Sequence, residues 1–276
     1  MSTTTNGDIE LYYESFGSTD NPTILLVCGL GMQSTGYSDQ FVGSFVDRGF
    51  HVVRFDNRDS GLSSDGPAEY RLSDMAADGM AVLDAVGVDQ AHIFGVSMGG
   101  MIVQTMAIEH PARVLSLTSV MSSTGERDYG QATDTALALL TATPPTTREG
   151  VQDDSVAAQK LWGSPAYFDE DYTRRVAGEA FDRAYRPAGT MRQFMAIVAD
   201  RDSRAEKLRA LTVPTLVIHG TEDNLINVSG GRRTAELIPG AQLEIIEGMG
   251  HDLPRPLVER IVGLTADFLI NGPVLK

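Results

Sequence analysis

Ile93-Phe94-Gly95-Val96-Ser97-Met98-Gly99-Gly100 is the stretch whose reading decides this chain. An apolar run ends in the pattern G-x-S-x-G, Gly95 to Gly99, and a helical pattern begins at once. Strand, sharp turn and helix are the context in which that pattern presents a serine for chemistry. A serine on so tight a turn takes strained backbone angles, and its neighbours two residues either side come too close for a Cβ. Gly95 and Gly99 remove the clash, and Gly100 lets the helix start pack close to the sheet. The Ser97 hydroxyl is then expected at the sheet edge, with the Met98 N–H at a helix N-terminus facing the same space. A glycine-rich strand–helix turn without chemistry is the plainer alternative, so the rest of the chain must supply the serine's partners.

Working outward, the order of elements is that of a doubly wound parallel sheet. Ile9 to Glu14 is β-prone and pairs with the threonine-rich segment before it. Thr23 to Cys28 is a continuous apolar run, the mark of a strand covered on both faces. Helix Ser38–Arg48, strand His51–Phe55, helix Leu72–Val86, strand Ala91–Val96, helix Met98–Glu109 and strand Val114–Val120 follow. From about Ser122 to Glu206 only helical patterns occur, carrying most of the large aromatics. Strands then resume at Pro214–His219 and Gln242–Glu247, with helices at Gly231–Leu237 and Leu257–Ile270. The reading is one core domain, 1–121 and 207–276, interrupted by a helical cap at 122–206.

Composition narrows the function. The 276 residues carry a formal net charge of -15, which disfavours nucleic acid or an anionic membrane as partner. No run approaches the roughly 20 apolar residues of a membrane span. Met1 to Asp8 is polar and does not read as a secretory signal. A single cysteine, Cys28, excludes an internal disulfide and fits a reducing, cytoplasmic setting. No phosphate-cradling motif, metal-ligand cluster or cofactor signature is present, and neither a cofactor nor a metal is expected.

A nucleophilic serine needs a base, a carboxylate to orient the base, and donors for an oxyanion. In open α/β sheets these gather at the carboxyl ends of strands. Of the five histidines, His51 and His92 begin strands, His110 follows a helix before Pro111, and His219 lies inside a strand. His251, in Gly248-Met249-Gly250-His251-Asp252 just past the last strand, is the expected base. Asp223, three residues beyond Gly220, is the expected carboxylate, with Glu222 the alternative; Asp252 is too close in sequence to orient the ring. The order Ser, Asp, His follows. The Leu30 N–H, in Gly29-Leu30-Gly31 after a neighbouring strand, is the expected second oxyanion donor beside Met98. Leu30, Met32, Trp162, Phe194 and Met195 are the candidate substrate contacts.

With these residues in place the chain resembles the α/β-hydrolase superfamily over essentially its whole length. Cys28-Gly29-Leu30-Gly31, Asp56-Asn57-Arg58-Asp59-Ser60-Gly61-Leu62-Ser63, Gly95 to Gly100 and Gly248-Met249-Gly250-His251 carry the likeness. It is most similar to single-domain bacterial esterases of the aclacinomycin methylesterase and mycobacterial lipase/esterase groups. The resemblance implies a mostly parallel eight-stranded sheet with a cap after the sixth strand, and a carboxylic ester hydrolase working through an acyl-enzyme. C–C bond hydrolases and cofactor-free perhydrolases share the same triad, and a non-catalytic small-molecule-binding protein on this scaffold is the third reading. Many relatives have His-Gly where this chain has Cys28-Gly29, and proline where Asn227 stands. The Asp56 to Ser63 run reads as a brace beside the site.

Overall fold

Every residue of Thr23–Val27 and of His51–Phe55 is buried, because helices cover both faces of the sheet to which they belong. The computed structural model describes residues 2–272. Met1 and residues 273–276, the outermost part of the expected core, lie outside the described residues.

The strands are β1 (Ser2–Asn6), β2 (Ile9–Phe16), β3 (Thr23–Val27), β4 (His51–Phe55), β5 (Ala91–Val96), β6 (Val114–Val120), β7 (Thr215–Gly220) and β8 (Gln242–Ile246). They form one eight-stranded sheet in the order β1-β2-β4-β3-β5-β6-β7-β8. The β1–β2 and β2–β4 pairs are antiparallel and all others parallel. β2 runs two residues beyond the expected Glu14, because Ser15 and Phe16 continue the ladder opposite Val53 and Val52.

Strand alternation divides the core into two layers. Leu25, Val27 and Ile93 pack with α2 (Leu72–Ala85) and α3 (Met98–Glu109), while Ile24, Leu26, Phe94 and Val96 pack with α1 (Asp39–Val46) and α10 (Val258–Asn271). Ser38 caps α1 by accepting from the Phe41 N–H at 3.2 Å. In the second layer Phe94 meets Tyr37, Phe41 and Phe45 at centroid distances of 6.1, 5.5 and 6.2 Å. These edge-on arrangements suit aromatic quadrupoles.

Between β6 and β7 lie only helices: α4 (Asp134–Leu140), α5 (Arg148–Trp162), α6 (Glu170–Arg183), α7 (Pro187–Ala199) and the single turn α8 (Ala205–Leu208). The last helix before β8 is α9 (Ser229–Leu237). No helix among the described residues is long and apolar enough to cross a membrane.

Phe94→Ala removes a ring that is 1% exposed from the middle of the aromatic layer. It should cost about 3–5 kcal/mol of unfolding free energy, read from the denaturant midpoint.

Candidate active site

The turn after β5 holds Ser97 at φ 54° and ψ -121°, a conformation an L-residue keeps only when its surroundings impose it. The surroundings are backbone. A Cβ on Gly95 would stand 2.1 Å from the Gly99 carbonyl oxygen, and one on Gly99 2.1 Å from that of Val27. Ser97 N–H donates to the Val120 carbonyl at 2.9 Å, and the Ser122 hydroxyl donates to the Ser97 carbonyl at 2.7 Å. The turn is thereby pinned between β3 and β6, and the Ser97 side chain is left partly exposed.

His251 reaches that side chain from the loop after β8. Its Nε2 lies 2.9 Å from Ser97 Oγ, and its Nδ1 lies 2.7 Å from Asp223 Oδ2. Nδ1–H facing a carboxylate leaves Nε2 as the acceptor toward the serine. Asp223 follows β7 and is 2% exposed. Its Oδ1 accepts from the Leu225 and Ile226 N–H groups at 2.9 and 2.7 Å, and His219 Nε2 stands 3.3 Å from Oδ2. Burial alone would push this carboxyl up, but the His251 and His219 imidazoles outweigh it and hold the group well below the usual carboxylate range. Glu222 is exposed. The Asp252 carboxylate faces the helical segment, where it accepts from the Ser164 N–H and hydroxyl at 3.1 and 2.5 Å and from the Gln159 amide.

The loop after β3 lies against the serine: a Cβ on Gly29 would stand 3.3 Å from Ser97 Cβ and 3.9 Å from Oγ. Among the described residues neither the Leu30 nor the Met98 N–H has an acceptor within the protein. Both N–H groups thus stand without a protein partner on the two segments that flank the serine. Among the described residues no three His, Cys, Asp or Glu side chains are grouped to hold a metal ion.

The run after β4 ties these loops to the helical segment. Asp56, fully buried, accepts from the Ser34 and Leu62 N–H groups at 2.7 and 2.9 Å and pairs with Arg183 of α6 at 2.8 Å. Asn57 donates to the Cys28 carbonyl at 3.0 Å. Arg58 grips Asp78 of α2 through Nε and Nη2 at 2.6 and 2.8 Å. Asp59 accepts from Nε and Nη2 along one edge of the Arg192 guanidinium from α7, together with the Tyr70 hydroxyl at 2.7 Å and the Gly66 N–H at 2.8 Å. The sequence marked this run as a brace but gave no sign of its partners Arg183 and Arg192.

Two cavities lie between the loops and the helices. One, of about 200 Å³, is lined by apolar groups including Leu30, Leu140, Pro144, Pro187, Met191 and Phe194. The other, of about 220 Å³, is more polar and adjoins Gln33, Asp59 and Arg186; Tyr185 and Thr190 face both. Of the expected substrate contacts, Leu30 and Phe194 line the apolar cavity. Met32, Trp162 and Met195 line neither. The Gly29–Met32 turn sends Met32 into the α1 and α10 layer, with its methyl group against Gly36. Met195 lies on the outer stripe of α7 and is 54% exposed. Trp162 contributes its carbonyl, which accepts from the His251 N–H at 2.5 Å.

Sheet order and turn geometry are those of an α/β hydrolase, and the comparisons agree. The chain belongs to the α/β-hydrolase family, whose alpha/beta hydrolase fold it matches over residues 22–254. It is 30% identical to rhodomycin D methylesterase of Streptomyces peucetius, over 91% of each chain. It is 29% identical to 3-oxoadipate enol-lactonase 2 of Acinetobacter baylyi, over 89% of this chain and 88% of the other. The crystal structure of the enol-lactonase from Burkholderia xenovorans superimposes with a TM-score of 0.79 at 23% identity, over 96% of this chain and 98% of that one. The protein is a hydrolase of this superfamily.

The clamp between Asp59 and Arg192 has a pH signature. Burial pushes the Asp59 carboxyl up, but Arg192, Tyr70 and the Gly66 N–H pull it further down, to a net value below the ordinary one. A carboxylate depressed in the folded state stabilises fully above its unfolded pKa, about 3.9, and loses that contribution as pH falls below it. The stability difference between wild type and Asp59→Asn should therefore be largest near neutrality and shrink below about pH 4. Urea midpoints measured across that range check the sign.

Proposed function

We propose that this protein is a carboxylic ester hydrolase with Ser97 as nucleophile, His251 as general base and Asp223 as the carboxylate that orients it. One observation carries the reading: an unbroken hydrogen-bonded chain from Ser97 Oγ through both nitrogens of His251 to Asp223, at 2.9 and 2.7 Å.

Ser97 Oγ attacks the acyl carbon as its proton passes to His251 Nε2. The carbonyl oxygen takes the negative charge and is met by the Leu30 and Met98 N–H groups. The intermediate collapses to the acyl-enzyme while His251 Nε2–H protonates the departing alkoxide, which leaves as the alcohol. Water then gives a proton to His251, attacks the acyl carbon, and the carboxylic acid leaves with the proton returned to Ser97. Asp223 keeps Nδ1–H in place throughout and faces the imidazolium while it exists.

Residues 122–206 are read as the lid over this site. The apolar cavity is lined by neither Ser97 nor His251 but shares Leu30 with the site, and it holds no charged side chain. It suits an uncharged acyl or alcohol group, since an ionised group placed there would lose its hydration without a partner. The names of the methylesterase and enol-lactonase relatives fit the same ester chemistry, open-chain or cyclic.

The test is hydrolysis of p-nitrophenyl esters from acetate to decanoate. Ser97→Ala should abolish turnover; activity near that of wild type would sink the proposal. Asp223→Asn should lower kcat by up to about 10⁴-fold, while Glu222→Gln leaves it unchanged. The reverse pattern would show that the acid has been misassigned.

A further inference from the structure

We infer that Gln193 is the positioning residue for the Leu30 oxyanion donor, holding the loop after β3 in its working conformation from the helical segment. The inference rests on the acyl-transfer reading of the site and extends it to a residue that touches no reacting atom.

Gln193 is fully buried on α7, and both ends of its amide are used. Oε1 accepts from the Gly31 N–H at 2.8 Å, and Nε2 donates to the Arg58 carbonyl at 2.8 Å. One side chain thus bridges the loops after β3 and β4 from a helix far along the chain. An apolar residue at this place would leave the buried Arg58 carbonyl without a donor and the Gly31 N–H without its acceptor.

The bond to Gly31 has a particular geometric effect. Met32 N–H donates to the Gly29 carbonyl at 3.2 Å, closing a four-residue turn with Leu30 and Gly31 at its centre. Gly31 sits at φ 65°, as the third position of a type II turn requires. Type I and type II turns differ by a flip of the central peptide, here Leu30–Gly31, and that flip reverses the Gly31 N–H. An acceptor fixed on that N–H therefore holds the type II turn in place, and with it the preceding Gly29–Leu30 peptide that carries the Leu30 N–H. Gly189, Gln193 and Ala196 form the buried stripe of α7, while Met191 and Phe194 line the apolar cavity. The helix that walls the cavity thus also sets the oxyanion loop.

The experiment compares wild type, Gln193→Met, Gln193→Asn and Gln193→Glu on one p-nitrophenyl ester and on a trifluoromethyl ketone, which forms a tetrahedral adduct with the serine. Met reaches as far as Gln but neither accepts nor donates, and Asn is one methylene too short to span Gly31 and Arg58. Both should lower kcat by about 10- to 100-fold with KM within about twofold, and weaken the ketone by the same factor as kcat. Glu offers a carbonyl oxygen to Gly31 and, kept protonated by burial, an O–H to the Arg58 carbonyl, and should recover most of the loss.

If Gln193→Met does not fold, Gln193→Asn carries the comparison. Wild-type kcat in a folded variant, a rise in KM alone, or a Glu variant as impaired as Met each overturns the assignment, provided turnover depends on Ser97. Turnover that persists in Ser97→Ala would instead overturn the acyl-transfer reading itself.

Discussion

Ser97 sits in a backbone conformation that costs on the order of 1–3 kcal/mol, and the centre of the molecule is arranged to impose it. The strand order places β5 between β3 and β6, so the turn at its end is gripped from both sides. On the β3 side Gly99 lies so close to the Val27 carbonyl that no side chain fits. On the β6 side Val120 and Ser122 take the serine's N–H and carbonyl. The same approach that demands glycine brings Gly29 against Ser97, so the loop bearing Leu30 and the turn bearing Met98 meet at one place. A looser turn would relieve the strain and separate those two donors.

What lies above the turn is held largely by buried charge and polar contact. Asp56 with Arg183, Asp59 with Arg192, and Gln193 with Gly31 and Arg58 all join loops of the sheet to α6 and α7. Buried ion pairs add little net stability, because desolvation offsets the attraction, but a pair broken on one side is costly. Such contacts disfavour shifted placements of α6 and α7, in which a carboxylate or guanidinium would lose its partner. The helices are thereby set in one register over the loops, with the two cavities between them.

The sheet was legible because its central strands are buried on both faces and read as apolar runs, and because G-x-S-x-G needs a strand before it and a helix after it. Ser97, Asp223 and His251 followed from one rule, that such groups stand at the carboxyl ends of strands; in the structure their side chains form one hydrogen-bonded chain. The clamps were not legible. Arg183, Arg192 and Gln193 find their partners across more than a hundred residues, and nothing local in a sequence records that pairing. Gln193 alone left a trace, as an uncharged polar residue on the stripe of α7 that also carries Gly189 and Ala196. Met32 and Met195 show the opposite limit: apolar spacing tells that a residue faces something, not whether it faces core, cavity or solvent.

The environment of Asp223 completes the electrostatic argument. His219 Nε2 lies 2.8 Å from the Ile226 carbonyl and 3.3 Å from Asp223, while its Nδ1 is buried without a partner. A hydrogen on Nδ1 would be stranded there, so Nε2 carries it and points between the carbonyl and the carboxylate. Asp223 is then faced by two backbone N–H groups and two imidazole N–H groups, a donor set that favours the ionised form against the cost of burial. His251 thus has a fixed negative charge behind it before any proton moves. In the proposed reaction the positive charge formed when Nε2 takes a proton meets a carboxylate already in place, and little reorganisation of the surroundings is needed. The second histidine, which the position of β7 made look merely structural, helps hold that charge ready.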